Sequence, residues 1–132
     1  MIGLDTNVIV RYITQGDPIN SPKATKFIEN RLTPADPGYI SIVALVEAVW
    51  VLDSSYGFSD RQLAGVVQEL LGSESMVVED AIDVSIALMA VKRGLGDFTD
   101  VLLGARCERA GCAHTVTFDR KAQRIRGFAP VT

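Results

Sequence analysis

The chain has 132 residues, 48% apolar and 22% charged, with five prolines and a net charge of −3; this suffices to bury a core in one domain spanning residues 1–132 and excludes a disordered or disulfide-dependent chain. Its longest charge-free run, ten residues from Pro37 to Val46, falls short of the roughly 20 that cross a bilayer. A pI of about 5.1 opposes broad contact with nucleic acid, unless several carboxylates serve as cation ligands and the basic residues form a local patch.

In chain order, Met1 to Leu4 reads as a short buried strand ending at Asp5, and Asn7 to Ile13 as the helix behind it. Only four residues precede Asp5, too few for a secretory signal, so a cytoplasmic location is expected. Ser21-Pro22 predicts an N-cap with proline at the first helical position, opening a helix to about Leu32 that Pro34 stops. Gly38 to Ile40 supplies a second strand, and Ser41 caps a helix to about Ser54 whose apolar residues lie on nearly every side, the pattern of a buried helix. Ser59 and Gln62 form a capping-box pattern for a helix ending near Leu71, with Gly72 just past it.

Met76 to Val78 is a third strand. Asp80 is placed to cap the next helix, which ends at Lys92-Arg93-Gly94, two cations at the negative end of the dipole followed by glycine. A helix from about Thr99 to Ala110 closed by Gly111, a strand from His114 to Phe118, a helical turn or two from Arg120 to Arg124 and a strand near Phe128 to Val131 complete the chain. Strands separated by helices imply an α/β fold with a short, mostly parallel central sheet flanked by helices. Ligands of such sheets bind at the carboxyl ends of strands, where Asp5 and Asp119 both fall.

Glu47 stands among Ala44 to Trp50 with no other charge, which predicts a buried or cleft-floor carboxylate that is costly without a partner. Asp97 and Asp100 bracket the start of a helix and share one face. If these acids converge, each like pair ~4 Å apart repels by about 4 kcal/mol at an effective dielectric near 20. Held protons or a hard divalent cation would offset that repulsion, and oxygen ligands suit Mg²⁺ or Mn²⁺. Such a cluster hydrolyses phosphodiesters, the metal lowering the pKa of a water that the carboxylates orient. Taken singly, each acid has a structural alternative: Asp5 a helix N-cap, Asp119 a turn residue, Asp100 a first-turn acid, Glu47 a core acid paired with arginine. Taken together they favour a site.

Leu4-Asp5-Thr6-Asn7, Glu47 in its helix, Asp97-Phe98-Thr99-Asp100 and Thr117-Phe118-Asp119 together resemble the PIN-domain nucleases, and more narrowly the VapC toxins of prokaryotic toxin–antitoxin pairs. The likeness covers essentially the whole chain, with its motifs in family order. It implies a Rossmann-like sheet, a homodimer, Mg²⁺-dependent (or Mn²⁺-dependent) endoribonuclease action on RNA, and a small VapB-like antitoxin that blocks the site. By motif, Asp5, Glu47, Asp100 and Asp119 take the metal-binding acidic positions, Asp97 is a further acid, and Thr6, Asn7 and Thr117 support the carboxylates through hydrogen bonds. Asp100 is followed by Val101 where alanine is commoner in the family, which removes no ligand.

Arg120, Lys121, Arg124 and Arg126 follow Asp119 closely and suit RNA phosphates, or a solvated terminal helix. His114 is expected to be structural, Trp50 and Tyr56 to lie in the core or an interface, and Cys107 and Cys112 to be small core residues. The helices at Ser41 to Leu52 and Ser59 to Leu71 carry more Val, Leu and Trp than one core face requires, so part of them should bury against a second chain. Two other functions compete. A haloacid-dehalogenase-like phosphatase also ends its first strand in aspartate, but needs a second acid at position 7, which is asparagine; a catalytically silent binding module of the same fold would show a degraded site, whereas every acid is present.

Overall fold

The structure, a computed structural model, describes all residues from Met1 to Thr132. It divides into two compact units, Met1–Ala81 and Ile82–Thr132. The first begins with β1 (Ile2–Gly3), α1 (Thr6–Thr14) and α2 (Asn20–Lys26), which runs into a π-helical turn at Phe27–Arg31. Then follow β2 (Gly38–Ile40), α3 (Ile42–Tyr56), α4 (Asp60–Gly72) and β3 (Met76–Val78). The three strands form a parallel sheet in the order β1-β2-β3, with Ile2 opposite Gly38 and Ile40 opposite Val78. The central strand is packed too closely for a side chain at its start: a Cβ on Gly38 would lie 2.8 Å from Leu32 and 2.9 Å from Leu4. Ile9, Val10, Ile40, Leu45, Leu52, Leu63 and Val67 are buried around this sheet's helices.

The predicted α2 starts two residues late. The Asp17 carboxylate accepts the N–H groups of Ile19 (2.9 Å) and Asn20 (2.7 Å), so the helix begins at Asn20 and Ser21 lies inside its first turn. Ser21 is buried and its hydroxyl donates to the Arg11 carbonyl at 2.7 Å, tying α2 to α1. Pro22 is tolerated there because the first N–H groups of a helix have no intrahelical partner.

Helix α3 is held at its start by two acceptors. The Ser41 hydroxyl accepts from Ala44 N–H at 3.1 Å, as its sequence position predicts, and Glu79, just past β3, accepts from Ile42 N–H at 2.8 Å. The helix is not buried all round: Ala44, Leu45, Ala48, Val49 and Leu52 are covered, while Val43 and Trp50 are 75% and 64% exposed. The apolar residues of α4, in contrast, are taken up inside, with Leu63, Ala64, Val67 and Leu70 buried behind an intact Ser59–Gln62 capping box. Gly72 is the last residue of α4 rather than the one beyond it.

The second unit holds α5 (Ala81–Lys92, from the boundary residue onward), α6 (Phe98–Arg109), β4 (Thr115–Thr117), a 3₁₀ turn (Ala122–Arg124) and β5 (Phe128–Pro130). β4 and β5 pair in parallel, Thr115 opposite Phe128. Gly94 ends α5 with φ of 70°, the left-handed residue that its sequence predicts. Asp80 has φ of 48°, a left-handed turn in place of the extended backbone of an N-cap. Within this unit Val84, Ala87, Leu88, Phe98, Val101, Leu102 and Ala122 are buried.

No helix is long and apolar enough to cross a membrane.

Candidate active site

Asp5 stands two residues beyond the carboxyl end of β1, at the N-cap position of α1 with extended backbone. Its main-chain carbonyl accepts from Val8 and Ile9 at 3.0 and 3.3 Å, but its side chain makes no capping bond. The carboxylate is therefore exposed and uncommitted to the helix that it starts. Thr6 beside it is buried and donates its hydroxyl to Glu47 Oε2 at 3.3 Å, linking the first turn of α1 to the middle of α3. Glu47 itself is exposed, contrary to the buried position that its apolar neighbours suggest. Of those neighbours Ala44, Leu45, Ala48 and Val49 are buried, while residue 47 is turned outward with Val43 and Trp50 by the 100° step of the helix. Asn7 is exposed on the wall of a cavity of about 570 Å³ that also includes Arg11 and Lys23.

In the second unit the acids form an electrostatic group. Asp97 is the N-cap of α6, its carboxylate accepting from Asp100 N–H at 3.4 Å. Asp100 lies one turn inside and half-buried. Burial, then the charge of Asp97, then that of Asp119 hold its carboxyl above the usual carboxylate range, with Lys121 pulling the other way. Asp119 stands two residues beyond β4, mirroring Asp5. Its N–H donates to the Thr117 hydroxyl at 3.1 Å and its own Oδ1 accepts from Lys121 N–H at 2.9 Å. Thr117 thus supports the backbone of Asp119 and not its carboxylate. Arg120, Lys121 and Arg124 are all exposed.

As placed, no three His, Cys, Asp or Glu side chains are gathered to hold a metal ion. The donor chemistry nonetheless fits a hard cation. The candidate ligands are carboxylate oxygens, and the charges of Asp97 and Asp119, which add to burial in raising the Asp100 carboxyl, are what a divalent ion would offset.

The family model of the PIN domain matches residues 2–127. The chain belongs to the PIN-domain family. No curated protein matches it. PIN domains are generally nucleases that use divalent metal ions, and the match extends over every acid discussed above.

Several residues of this PIN domain lie elsewhere than their sequence context suggests. Trp50 and Tyr56 are exposed, which rules out the core and leaves an interface as the expected place for them, and the Tyr56 hydroxyl accepts from Arg11 Nη1 at 3.0 Å. Cys107, within α6, is half-buried, and Cys112 is exposed just past Gly111, whose φ of 94° turns the chain after the helix. His114 is exposed and precedes β4 instead of opening it. One anchoring group escaped the sequence reading altogether. Asp83 on α5 is 3% exposed and accepts two bonds from Arg109 on α6, from Nε and Nη2, both at 2.6 Å, with Arg106 Nη1 at 3.7 Å. This ion pair clamps the helix whose opposite end carries Asp97 and Asp100. The available signal was a lone acid in an otherwise apolar helix, the same signal that marked Glu47.

Proposed function

We propose that this PIN domain is a metal-dependent endoribonuclease and acts as the toxin of a toxin–antitoxin pair. The observation that carries the reading is the setting of Asp100, half-buried at the start of α6, where burial first and then the charges of Asp97 and Asp119 raise its carboxyl above the usual carboxylate range. A half-buried acid whose carboxyl is raised by burial and by two further acids is a mark of a functional site more than of a solvated surface. Asp5, Glu47, Asp100 and Asp119 are the proposed ligands of Mg²⁺ or Mn²⁺. When bound, such an ion lowers the pKa of a water and neutralises charge on the phosphodiester. The protein's own part is to aim the carboxylates: Thr6 fixes Glu47, Thr117 fixes the turn that presents Asp119, and the α6 cap made by Asp97 fixes the rise to Asp100. Arg120, Lys121 and Arg124, exposed next to Asp119, are suited to hold RNA phosphates.

Family membership and asparagine at position 7 both favour the nuclease over a phosphatase. The retained acids favour it over a silent binding module. A small VapB-like antitoxin and a homodimer complete the proposal. Incubation with a panel of structured RNAs in Mg²⁺ or Mn²⁺ tests it: endonucleolytic products are expected, absent in excess EDTA and absent with Asp5→Asn. Cleavage that survives chelation undiminished, or that Asp5→Asn retains, refutes it.

A further inference from the structure

Two cavities adjoin on the first unit and share Lys23 and Phe27. The larger is bounded by the residues on either side of Asp5, from Ile2 to Leu4 and at Asn7, and runs past Arg11 and Asn20. The smaller continues along Lys26, Asn30 and Arg31. Four cations line the pair and no acid does, although the chain as a whole carries a net charge of −3. The segregation is built into the helix. α2 contains two lysines and no acid, and Glu29 of the π-helical turn lines a different cavity, with Tyr12. A solvated helix face would mix its signs. Phe27, the first residue of the π-helical turn and half-buried, lines both cavities together with Lys23.

The four cations are not equivalent. Arg11 is shared with the Tyr56 hydroxyl at 3.0 Å and Asp17 at 3.7 Å, and Arg31 with Asp36 at 2.9 Å. Lys23 and Lys26 are exposed, so their charges face whatever occupies the groove. Exposed ammonium groups and an aromatic ring in one pair of cavities, with asparagine amides within the same walls, match single-stranded nucleic acid: cations track the phosphates, and the ring accepts an unstacked base.

We propose that this groove is the track on which single-stranded RNA lies as it approaches Asp5, with Lys23 and Lys26 neutralising phosphates and Phe27 stacking on a base. The assignment rests on the endoribonuclease reading above and adds to it a second RNA-holding surface, apart from Arg120, Lys121 and Arg124 in sequence.

The test is fluorescence anisotropy of the full chain with a labelled single-stranded RNA of about 12 nucleotides, in EDTA so that nothing is cut, over a series of salt concentrations. The Lys23→Ala/Lys26→Ala double variant should weaken binding about tenfold, and should lower the slope of log affinity against log salt by about 1.4, two contacts at roughly 0.7 each. Phe27→Leu keeps the apolar volume and should weaken binding severalfold with the slope unchanged. Far-ultraviolet circular dichroism checks that both variants fold. If the wild type neither binds nor cuts RNA, the nuclease reading fails and takes this one with it. If the wild type cuts RNA and the double variant binds with unchanged affinity and slope, the track alone is wrong. Polyglutamate bound more tightly than the RNA, and released by the same two substitutions, would assign the groove to an acidic protein partner and overturn the proposal as well.

Discussion

Asp97 and Asp100 lie three residues apart and do different work. The Asp97 carboxylate is engaged with the N–H of Asp100 as the helix cap, whereas Asp100 has no free backbone donor to serve once the first turn is formed. Asp100→Asn is therefore expected to abolish nearly all cleavage, and Asp97→Asn to reduce it roughly 10–100-fold, the usual effect of losing a group that orients a ligand; a less active Asp97→Asn, with Mn²⁺ bound normally by Asp100→Asn, reverses the two roles. The carboxyl of Asp100 is raised by burial and by its acidic neighbours, so its ionised form opposes folding above the ordinary carboxylate range. Without metal, Asp100→Asn should raise the melting temperature near neutral pH, and the gain should vanish below about pH 4, where the wild-type carboxyl is protonated. Thr6→Val offers the complementary test. It keeps the buried shape but removes the donor to Glu47, and cleavage should fall roughly 10–100-fold while the fold persists; unchanged activity would show that Glu47 needs no such support.

At the scale of elements, α6 carries two of the acids at its N-terminal end and is clamped at the other by Asp83. The hydrogen bonds of Arg109 hold the Asp83 carboxyl below the usual carboxylate range, against the opposing effect of burial, with Arg106 adding to the depression. A carboxyl depressed on folding stabilises the protein above its unfolded pKa of about 3.9, and that contribution is lost as pH falls through the lower folded value. Asp83→Asn should cost roughly 1–3 kcal/mol near neutral pH, less than a fully buried pair, because Arg109 is more than half exposed and can rehydrate. Thermal melts of wild type and variant should begin to converge as the pH falls below about 4 and should meet only below the lower folded value. A gap that stays constant to pH 2 would mean that packing, and not the ion pair, is what Asp83 contributes.

For the whole molecule, the apolar residues left in water bear on association. Val43 and Trp50 project from α3, and Ile82, Ile86 and Met89 form an i, i+4, i+7 stripe along α5. The expectation from sequence placed the surplus on α3 and α4; α4 buries its share, and α5 shows it instead. A homodimer is the proposed use of these faces. Sedimentation at tens of micromolar, ample for an interface of ordinary size, should show a dimer, and Trp50→Glu or Ile86→Glu should yield a folded monomer. A wild-type monomer at that concentration would rule the dimer out.

Local chemistry determined most of the elements. Ser41, the Ser59–Gln62 pair, Gly94 and Gly111 mark helix ends because caps and left-handed turns depend on a few adjacent residues, and the three short parallel strands of the first unit follow from apolar runs between those marks. The motifs that led to the PIN family were legible for the same reason, since each is a contiguous run tied to a strand or helix end. Partnership across distance was not legible. Asp83 finding Arg109, Glu79 capping α3, Thr6 reaching Glu47 and Asp17 starting α2 early all depend on which faces the folded chain brings together, and the first three join residues that are 26, 37 and 41 positions apart. Exposure was decided at the same level: Glu47 and Trp50 sit in an apolar sequence yet face water, because the helix turns them there and only one side of α3 is covered by the fold.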